Sequence, residues 1–380
     1  MDYFLTEDQI ALRDLVRQIA DEKVRPVAAK YDREGTFPWD LVKVFAEAGL
    51  FSSVVPEEYG GMGLGVLELA LITEELSKAC GGIALSVAAS ALGMFPILIS
   101  GTDEQRKKYL PDLAAGKKLA AFCLTEPSAG SDAGSMKTRA VKKGDEYLLN
   151  GTKVFITNGG VAEVFTVITV SDPERGTRGT TAFIVEKNFP GFKVGKEEDK
   201  MGIRASSTAE IIFEDCRVPE KNRLGREGEG FMVAMKTLDK SRPGVAAQAL
   251  GIAQGAFDLA LDYAKTRVQF GHPIISLQAI QFMLADMATQ IEAARALLYQ
   301  AARNVDADCK GMGQVSAMSK LLASDVAMKV TTDAVQIFGG YGYMRDYPVE
   351  KYMRDAKITQ IYEGTNQIQR LVIARSLLHG

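Results

Sequence analysis

Histidine is almost absent from this sequence, which has only two, His272 and His379, among 380 residues. Nucleophilic triads built on histidine and histidine-rich metal sites are therefore poorly supported. The four cysteines lie far apart and form no Cys-x-x-Cys pair. This arrangement argues against a disulfide framework and a zinc site, and it favours a reducing compartment.

An excess of basic residues is also missing, since the formal net charge is −3. Binding to nucleic acid or to an anionic membrane surface is therefore not indicated. The acidic, amphipathic N-terminus resembles neither a secretory signal nor a transit peptide. No apolar run of about 18 residues is apparent, so we expect no membrane span. These absences predict a cytoplasmic protein, or a mature form that has already lost a leader.

Several familiar catalytic motifs do not occur. The sequence has no HExxH, Walker A or EF-hand pattern, and it predicts no metal site. The glycines from Gly60 to Gly65 do not complete GxGxxG, and no strand precedes them, so a Rossmann dinucleotide site is unsupported. If the protein is an enzyme, its chemistry depends on carboxylates or on a cofactor bound by another fold.

Helical periodicity is present at both ends of the chain. Thr6 and Gln9 have the spacing of a capping box, and residues 66–79 and 83–100 predict two further helices. Apolar residues from Val315 to Ile337 recur at helical spacing, and Gly339-Gly340 follows as a stop. A last helix is expected over residues 367–378.

The middle of the chain is rich in short β-type runs. Asn150-Gly151 lies between two apolar runs and predicts a hairpin turn. Residues 164–170, 181–185 and 211–213 predict further strands. We therefore expect an α+β multidomain chain with an α-helical domain over 1–120, a β domain over 121–228 and a C-terminal α-helical domain over 229–380.

Six segments resemble the acyl-CoA dehydrogenase family, and together they extend over essentially the whole chain. They are Val55-Pro-Glu-Glu-Tyr-Gly-Gly61, Leu124-Thr-Glu-Pro-Ser-Ala-Gly-Ser-Asp132, Phe155-Ile-Thr-Asn-Gly-Gly160, Arg267-Val-Gln-Phe-Gly271, Gln336-Ile-Phe-Gly-Gly-Tyr-Gly-Tyr343 and Ile361-Tyr-Glu-Gly-Thr-Asn-Gln367. The bacterial short- and medium-chain members, similar to butyryl-CoA dehydrogenase, look closest. The resemblance implies an N-terminal helical domain, a middle β-barrel domain and a C-terminal four-helix bundle.

The resemblance also implies a reaction. It is the FAD-dependent α,β-dehydrogenation of an acyl-CoA thioester to the 2-enoyl-CoA, with electrons passed to an electron-transferring flavoprotein. Glu363, in Tyr-Glu-Gly-Thr, matches the base that removes the α-proton. Read without the family, Glu363 is equally a solvated glutamate favoured near a helix N-terminus. Some relatives carry their base beside the arginine of the helix beginning near Phe231, where this chain has Ser241.

The same resemblance assigns FAD-binding residues, some of them reaching the FAD of a neighbouring subunit in a homotetramer. The residues are Phe122, Leu124, Thr125, Gly130, Ser131, Phe155, Thr157, Arg267, Gln269, Phe270, Gln278, Gln336, Gly339, Gly340, Thr365 and Gln367. Many relatives have tryptophan at the position of Phe155, so this chain keeps the aromatic face but loses the indole donor. Without the family, Arg267 would be an ordinary surface charge.

The acyl-CoA ligands implied by the resemblance form a second set. They are Ser131, Phe231, Leu238, Asp239, Arg242, Tyr362 and Gly364. Asp239 and Arg242 lie three residues apart on one predicted helix, so they can equally form a structural ion pair. Small residues over 86–93 leave room for a short- to medium-chain, branched or alicyclic acyl group, or else allow close helix packing.

Two alternatives to a dehydrogenase remain. A flavin oxidase of the same fold would use oxygen as its acceptor, although acyl-CoA oxidases are longer and nitroalkane oxidases have aspartate in place of Glu363. A non-catalytic, flavin-free binding protein would keep the fold but bind no flavin. The presence of the base and flavin motifs favours the dehydrogenase.

Overall fold

The computed structural model describes residues 3–379 of the chain. The α-helices are α1 Glu7–Ile19, α2 Ala28–Glu34, α3 Trp39–Glu47, α4 Val66–Ser100, α5 Asp103–Ala114, α6 Gly230–Thr266, α7 Gln278–Asp306, α8 Met312–Phe338, α9 Val349–Thr359 and α10 Asn366–His379. The strands are β1 Ala120–Cys123, β2 Arg139–Lys143, β3 Glu146–Thr157, β4 Val164–Val170, β5 Thr180–Glu186, β6 Phe192–Glu197, β7 Thr208–Pro219, β8 Arg223–Leu224, β9 Val268–Gln269 and β10 His272–Pro273.

The first five helices precede the sheet, and local sequence explains where they begin and bend. The Gln9 N–H donates to the Thr6 hydroxyl while the Thr6 N–H donates to the Gln9 side chain, so the predicted capping box is confirmed. Both helices predicted over 66–79 and 83–100 lie in α4. They meet at Cys80, whose φ of −162° and ψ of 111° are non-helical. The break that the sequence predicts between two helices therefore falls at this residue, although the structure joins them in one kinked helix.

The expectation that no segment is apolar enough to span a membrane is wrong. α4 and α6 both have the length and composition of a spanning helix. In the fold, however, 78% of the apolar window of α4 and 67% of that of α6 are buried among other elements. Core helices of this kind resemble membrane-spanning helices in length and composition, because burial in protein and burial in lipid both favour apolar side chains.

The expected β-sheet middle is confirmed. β1 to β8 form one eight-stranded sheet in the order β6-β7-β3-β2-β4-β5-β8, and β1 pairs in parallel with β4 outside this path. The strands predicted over 164–170, 181–185 and 211–213 are β4, β5 and β7. Within residues 3–379, no pairing joins β6 to β8, so the sheet is not closed along this path.

The hairpin predicted at Asn150-Gly151 is wrong. β3 continues through both residues, and the turn between β2 and β3 contains Gly144 instead. The pairing register with β7 shifts between Leu149 and Gly151, which marks a β-bulge. Asn150 holds this bulge, because its amide donates to Asp215 Oδ1 at 3.0 Å and accepts from the Asp215 N–H at 2.9 Å. Pairing with β7 therefore overrides the local turn signal.

The C-terminal part is helical, as expected. α8 contains the helix predicted over 315–337 and ends at Gly339, whose φ of 60° suits glycine. α10 begins at Asn366, one residue before the predicted start. α6, α7 and α8 pack against one another, and α10 packs on α8.

The closest helix packing joins the first and last parts of the chain. α4 and α6 lie against each other, and a Cβ built at Gly251 of α6 would be 2.2 Å from the carbonyl oxygen of Glu74 in α4. Only glycine permits this approach. Because α4 also packs on β1 and β4, the two helices and the sheet enclose the space in which the cavity described next is found.

Candidate active site

A cavity of about 520 Å³ lies where α4, α6, the sheet and the start of α10 meet. Its walls are mostly apolar, and its polar groups come from α6, from the loops that follow β1 and α9, and from the end of β3. From the helices, it is lined by Leu69, Leu85, Ala88, Ala89, Leu92, Phe95, Phe231, Met235, Leu238, Val245, Ile368, Leu371 and Val372. Apolar walls with a few convergent polar groups are typical of a small-molecule site.

Glu363 lies in this cavity, on the loop between α9 and α10. Its φ of 51° and the φ of 92° at Gly364 are both in the left-handed region. A non-glycine residue there is strained and persists only when its surroundings hold it. The Ser241 hydroxyl, from α6, donates a short hydrogen bond to Glu363 Oε2. The carboxyl group therefore faces α6 across the cavity.

Several charges and dipoles set the protonation of Glu363. Burial is the largest influence and raises the pKa of the carboxyl group above its ordinary value. The hydrogen bond from Ser241 and the positive charges of Lys320 and Arg242 act in the opposite direction. A carboxylate with a raised pKa holds a proton more readily than one in water, which is the property expected of a general base.

Residues of α8 and α10 hold the Glu363 loop by hydrogen bonds to its backbone. Lys320 of α8 donates to the Gly364 carbonyl oxygen at 2.8 Å and to Asn366 Oδ1 at 2.9 Å. The Gln369 amide donates to the carbonyl oxygens of Glu363 and Gly364 at 3.1 and 2.9 Å. Sequence analysis missed these residues, because they come from two helices and no motif joins them.

Tyr362 connects the loop to the kinked helix α4. Its hydroxyl donates to Gln248 Oε1, and the Gln248 amide donates to the Gly81 carbonyl oxygen at 3.0 Å. Burial is the main reason that the pKa of the Tyr362 phenol lies well above its ordinary value. Gln248 was not predicted, although it lines the cavity. Its signal is its position on the buried face of α6.

The residues expected to hold the isoalloxazine end of FAD gather in the same cavity. It is lined by Phe122, Leu124, Thr125, Gly130, Ser131, Phe155 and Thr157. Phe155 has 64% of its surface exposed and a φ of 59°. A large aromatic side chain exposed in this way is available to pack against a planar ligand.

A buried ion pair fixes the loop that follows β1. Lys153 Nζ donates to Glu126 Oε1 at 2.7 Å and to the Leu124 carbonyl oxygen at 2.9 Å. Glu126 also accepts from the N–H groups of Lys137 and Thr138, at 2.6 and 3.0 Å. Both side chains of the pair are almost fully buried. The sequence motif contains Glu126, but sequence analysis did not identify its partner.

The predicted acyl-CoA ligands divide into two groups. Most of them line the cavity: Ser131, Phe231, Leu238, Arg242, Tyr362 and Gly364. Asp239 does not line it and forms an ion pair with Arg242, as the structural alternative predicted. Arg242 Nε, by contrast, is buried without a hydrogen-bond partner within residues 3–379. An unsatisfied buried donor beside a cavity indicates an acceptor on a ligand.

Other predicted FAD residues lie elsewhere. A separate concavity of about 550 Å³ contains Arg267, Gln269, Gly339 and Gly340. Phe270 lies beside it on the chain and is 84% exposed. The remaining predicted ligands line neither space: Gln278, Gln336, Thr365 and Gln367. A single chain therefore does not bring the whole predicted FAD set together.

The residues present fit a flavin nucleotide better than a metal. A Cβ built at Gly130, Gly339 or Gly340 would have no neighbour within 4 Å, so these backbones are open to a ligand. Hydroxyl groups and an exposed aromatic ring surround the first cavity, and Arg267 provides a cation at the second concavity. Among the described residues, no cluster of His, Cys, Asp and Glu could hold a metal ion.

Three domain families match this chain in succession. Residues 6–117 match the acyl-CoA dehydrogenase N-terminal domain, 121–216 the middle domain and 228–378 the C-terminal domain. An acyl-CoA dehydrogenase of Bacillus subtilis is 52% identical over 99% of both chains. A short-chain-specific acyl-CoA dehydrogenase of Clostridium acetobutylicum is 51% identical over 98% of this chain and 99% of its own length.

Solved structures agree with these relatives. Butyryl-CoA dehydrogenase from Megasphaera elsdenii superposes with a TM-score of 0.97, at 48% identity and 100% coverage of both chains. A chain solved in work on the electron transferring flavoprotein of Acidaminococcus fermentans and flavin-based electron bifurcation gives 0.98, at 54% identity and 100% coverage of both. An acyl-CoA dehydrogenase complexed with FAD from Bacillus anthracis gives 0.91, at 37% identity over 99% of this chain and 68% of that one.

Proposed function

Because this chain belongs to the acyl-CoA dehydrogenase family of FAD-dependent oxidoreductases, we propose that it oxidises acyl-CoA to 2-enoyl-CoA with Glu363 as the general base. The observation that carries this proposal is the position of Glu363. Its carboxyl group lies in the largely apolar cavity, on a strained loop, with a pKa raised by burial. A base of raised pKa is better matched to a weakly acidic α-proton than an ordinary carboxylate.

Proton removal also requires stabilisation of the charge that develops on the thioester oxygen. Within the described residues, the Glu363 N–H donates to no protein acceptor, so it is available to the thioester. A preorganised donor at such an oxygen contributes roughly 3–4 kcal/mol to lowering a barrier of this kind. One residue would thus supply both the base and a donor.

FAD, when bound, supplies the acceptor for the hydride that leaves the β-carbon. We propose that Phe122, Leu124, Thr125, Gly130, Ser131, Phe155 and Thr157 hold its isoalloxazine end, because all of them line the Glu363 cavity. Arg267, Gln269, Gly339 and Gly340 would hold the pyrophosphate and adenine end of a neighbouring subunit's FAD. Their separation from the cavity supports this assignment, with Phe270, Gln278, Gln336, Thr365 and Gln367 as further contacts.

The apolar end of the cavity suits a short- to medium-chain acyl group. α4 contributes both bulky and small residues to the cavity wall, and these are Leu85, Ala88, Ala89, Leu92 and Phe95. The small residues would accommodate a branched or alicyclic chain. The short-chain specificity of the Clostridium acetobutylicum relative supports the small end of this range.

We propose an electron-transferring flavoprotein as the electron acceptor. The support is the chain from Acidaminococcus fermentans, 54% identical and solved in work on such a flavoprotein. We also propose a homotetramer, as the family resemblance implies. The separation of the Arg267 concavity from the Glu363 cavity supports an assembly of more than one subunit.

An anaerobic half-reaction tests the function and separates it from the two alternatives. The purified protein, with FAD, is mixed under argon with linear, branched and cyclic acyl-CoAs while flavin absorbance is followed. A dehydrogenase loses the flavin absorbance and, in air, makes little peroxide. Rapid peroxide formation would favour an oxidase, and a protein without flavin absorption would favour the binding protein.

Replacement of Glu363 tests the base. Glu363→Gln is expected to keep FAD and bind acyl-CoA. Its rate of flavin reduction should fall by about 10²–10⁴-fold, because no carboxylate remains to take the proton. Asp262→Asn is a control, since Asp262 carries an exposed carboxyl group on α6 and does not line the cavity. Bleaching of Glu363→Gln at the wild-type rate would refute the assignment.

A further inference from the structure

Among residues 3–379, three lysines are buried, and one of them differs from the other two. Lys153 pairs with Glu126 at 2.7 Å, and Lys351 pairs with Asp355 at 2.5 Å. Within residues 3–379, Lys320 has no carboxylate oxygen within 4.0 Å of its Nζ. A buried cation without a paired anion is energetically unfavourable, so its presence calls for an explanation beyond core packing.

The hydrogen bonds of Lys320 all reach the loop between α9 and α10 that carries Glu363. Its ammonium donates to the Gly364 carbonyl oxygen at 2.8 Å and to Asn366 Oδ1 at 2.9 Å. Gly364 directly follows Glu363, and both have φ values in the left-handed region. Asn366 is also fixed by Asp325, whose Oδ1 accepts from its amide at 2.8 Å. α8 therefore forms hydrogen bonds with the loop on both sides of Thr365.

The charge of Lys320 acts on the base as well. The groups that influence its titration are Glu363 and Asp325, which favour the charged ammonium, and Arg242, which opposes it. Burial nevertheless lowers the pKa of Lys320 to about 8. The nearest compensation for this cation is the ionised form of Glu363, so each charge stabilises the other across the Gly364 peptide.

We propose that Lys320 is a positioning residue for Glu363, holding the strained Glu363–Gly364 peptide and balancing the charge of the base. This inference rests on the proposed function, in which Glu363 removes the α-proton. Lys320 does not line the cavity, so its effect passes through the loop rather than through contact with substrate. A small misplacement of a catalytic group is enough to slow a reaction by about 10²-fold.

The sharpest measurement isolates proton removal from electron transfer. An acyl-CoA in which sulfur replaces the β-carbon has an acidic α-hydrogen but no β-hydride to give. Its α-hydrogen exchanges with deuterium from D₂O only through the base, and mass spectrometry follows the exchange as a function of pH. FAD content and the dissociation constant of the analogue are measured in parallel.

Three variants separate positioning from general stability. Lys320→Met removes the charge and the donors while keeping an unbranched side chain. Lys320→Arg keeps the positive charge. Ser324→Ala is the matched control: Ser324 lies one turn further along α8 and bonds the same Asn366 at 2.9 Å, but makes no bond to Gly364.

Lys320→Met is expected to bind FAD and the analogue normally, yet to exchange the α-hydrogen about tenfold to hundredfold more slowly. Its exchange should also begin at a higher pH, because loss of the cation destabilises the Glu363 carboxylate. Lys320→Arg should restore the pH dependence, and Ser324→Ala should match the wild type in both rate and pH dependence.

Wild-type exchange and pH dependence in Lys320→Met would overturn the positioning role, as would equal losses in Lys320→Met and Ser324→Ala. If the wild-type protein itself exchanges no α-hydrogen, and Glu363→Gln behaves identically, the proposed function fails instead. The two failures are therefore distinguishable in one series.

Discussion

Glu363, the proposed base, shows how strongly the neighbours of a carboxyl group determine its titration. The same side chain on a surface loop would titrate as an ordinary carboxylic acid, whereas here burial raises its pKa. The hydrogen bond from Ser241 and the positive charges of Lys320 and Arg242 lower the pKa and so limit that rise. The residue type sets the chemistry that is possible, and the environment sets the pH at which it operates.

Ser241 offers a direct test of this balance. Its hydroxyl donates to the ionised carboxylate, so Ser241→Ala is expected to raise the pKa of Glu363 further. The acid limb of the pH profile for flavin reduction should then move to higher pH, because the reactive form is the carboxylate. Ser241→Thr keeps a hydroxyl donor and serves as the control. An unchanged acid limb in Ser241→Ala would contradict the role given to this bond.

The raised pKa of Glu363 also predicts how the stability of the protein changes with pH. A carboxyl group whose pKa is higher in the folded state stabilises the fold. Its full contribution to the free energy of unfolding is present below its unfolded-state pKa, which is about 4.3. That contribution is lost as the pH rises through the folded-state pKa. The melting temperature of Glu363→Gln should therefore rise relative to that of the wild type as the pH increases from about 4.3 through the raised folded-state pKa. Melting curves over a pH series check the trend, and a difference that stays constant with pH would exclude it.

At the scale of elements, the approach of α4 and α6 is what gives the cavity its shape. Gly251→Ala is expected to destabilise the protein by about 1–3 kcal/mol, since its new Cβ would meet the Glu74 carbonyl oxygen at 2.2 Å. Gly244→Ala is the matched substitution on the same helix, where a Cβ meets nothing within 4 Å. It should stabilise by up to about 1 kcal/mol through helix propensity.

Urea unfolding measures both free energies. Equal effects of the two substitutions would show that close packing at Gly251 is unimportant. Gly244 also lines the cavity, so its variant should narrow the space for the acyl chain independently of stability.

The loop after β1 depends on a different device, the buried pair of Lys153 and Glu126. Lys153→Met is expected to lower the unfolding free energy by about 3–5 kcal/mol, because it leaves a buried carboxylate without its cation. It should also weaken FAD binding, since the loop from Leu124 to Ser131 would lose an anchor. The double variant with Glu126→Gln should recover part of the stability, which thermal unfolding measures. A double variant no more stable than Lys153→Met would contradict this account.

On the scale of the whole molecule, the proposed assembly rests on the separation of the predicted FAD ligands into two groups. Arg267→Gln is expected to increase FAD loss on dilution without changing acyl-CoA binding, because Arg267 lies in the concavity away from Glu363. Light scattering measures the assembly state and flavin fluorescence measures FAD release, both as a function of protein concentration. A monomer that retains FAD fully would contradict the role of Arg267 between subunits.

The sequence predicted the large features because they depend on local signals. The capping box at Thr6, the stop at Gly339 and the break between the helices predicted over 66–79 and 83–100 depend on residues within a few positions of one another. The Asn150-Gly151 hairpin failed for the opposite reason, since a distant strand, β7, decided the conformation. The expectation that no run is apolar enough to span a membrane was wrong, because α4 and α6 both have that length and composition.

The sequence by itself determined the helix–sheet–helix order, the family motifs and the presence of a glutamate in the base motif. Tertiary structure alone decided that Ser241 and Lys320 act on that glutamate, because they come from α6 and α8 and lie 122 and 43 positions away from it. Local patterns determine the elements, but the pKa of a group depends on charges and burial in space. These are contributed by residues that no sequence motif connects.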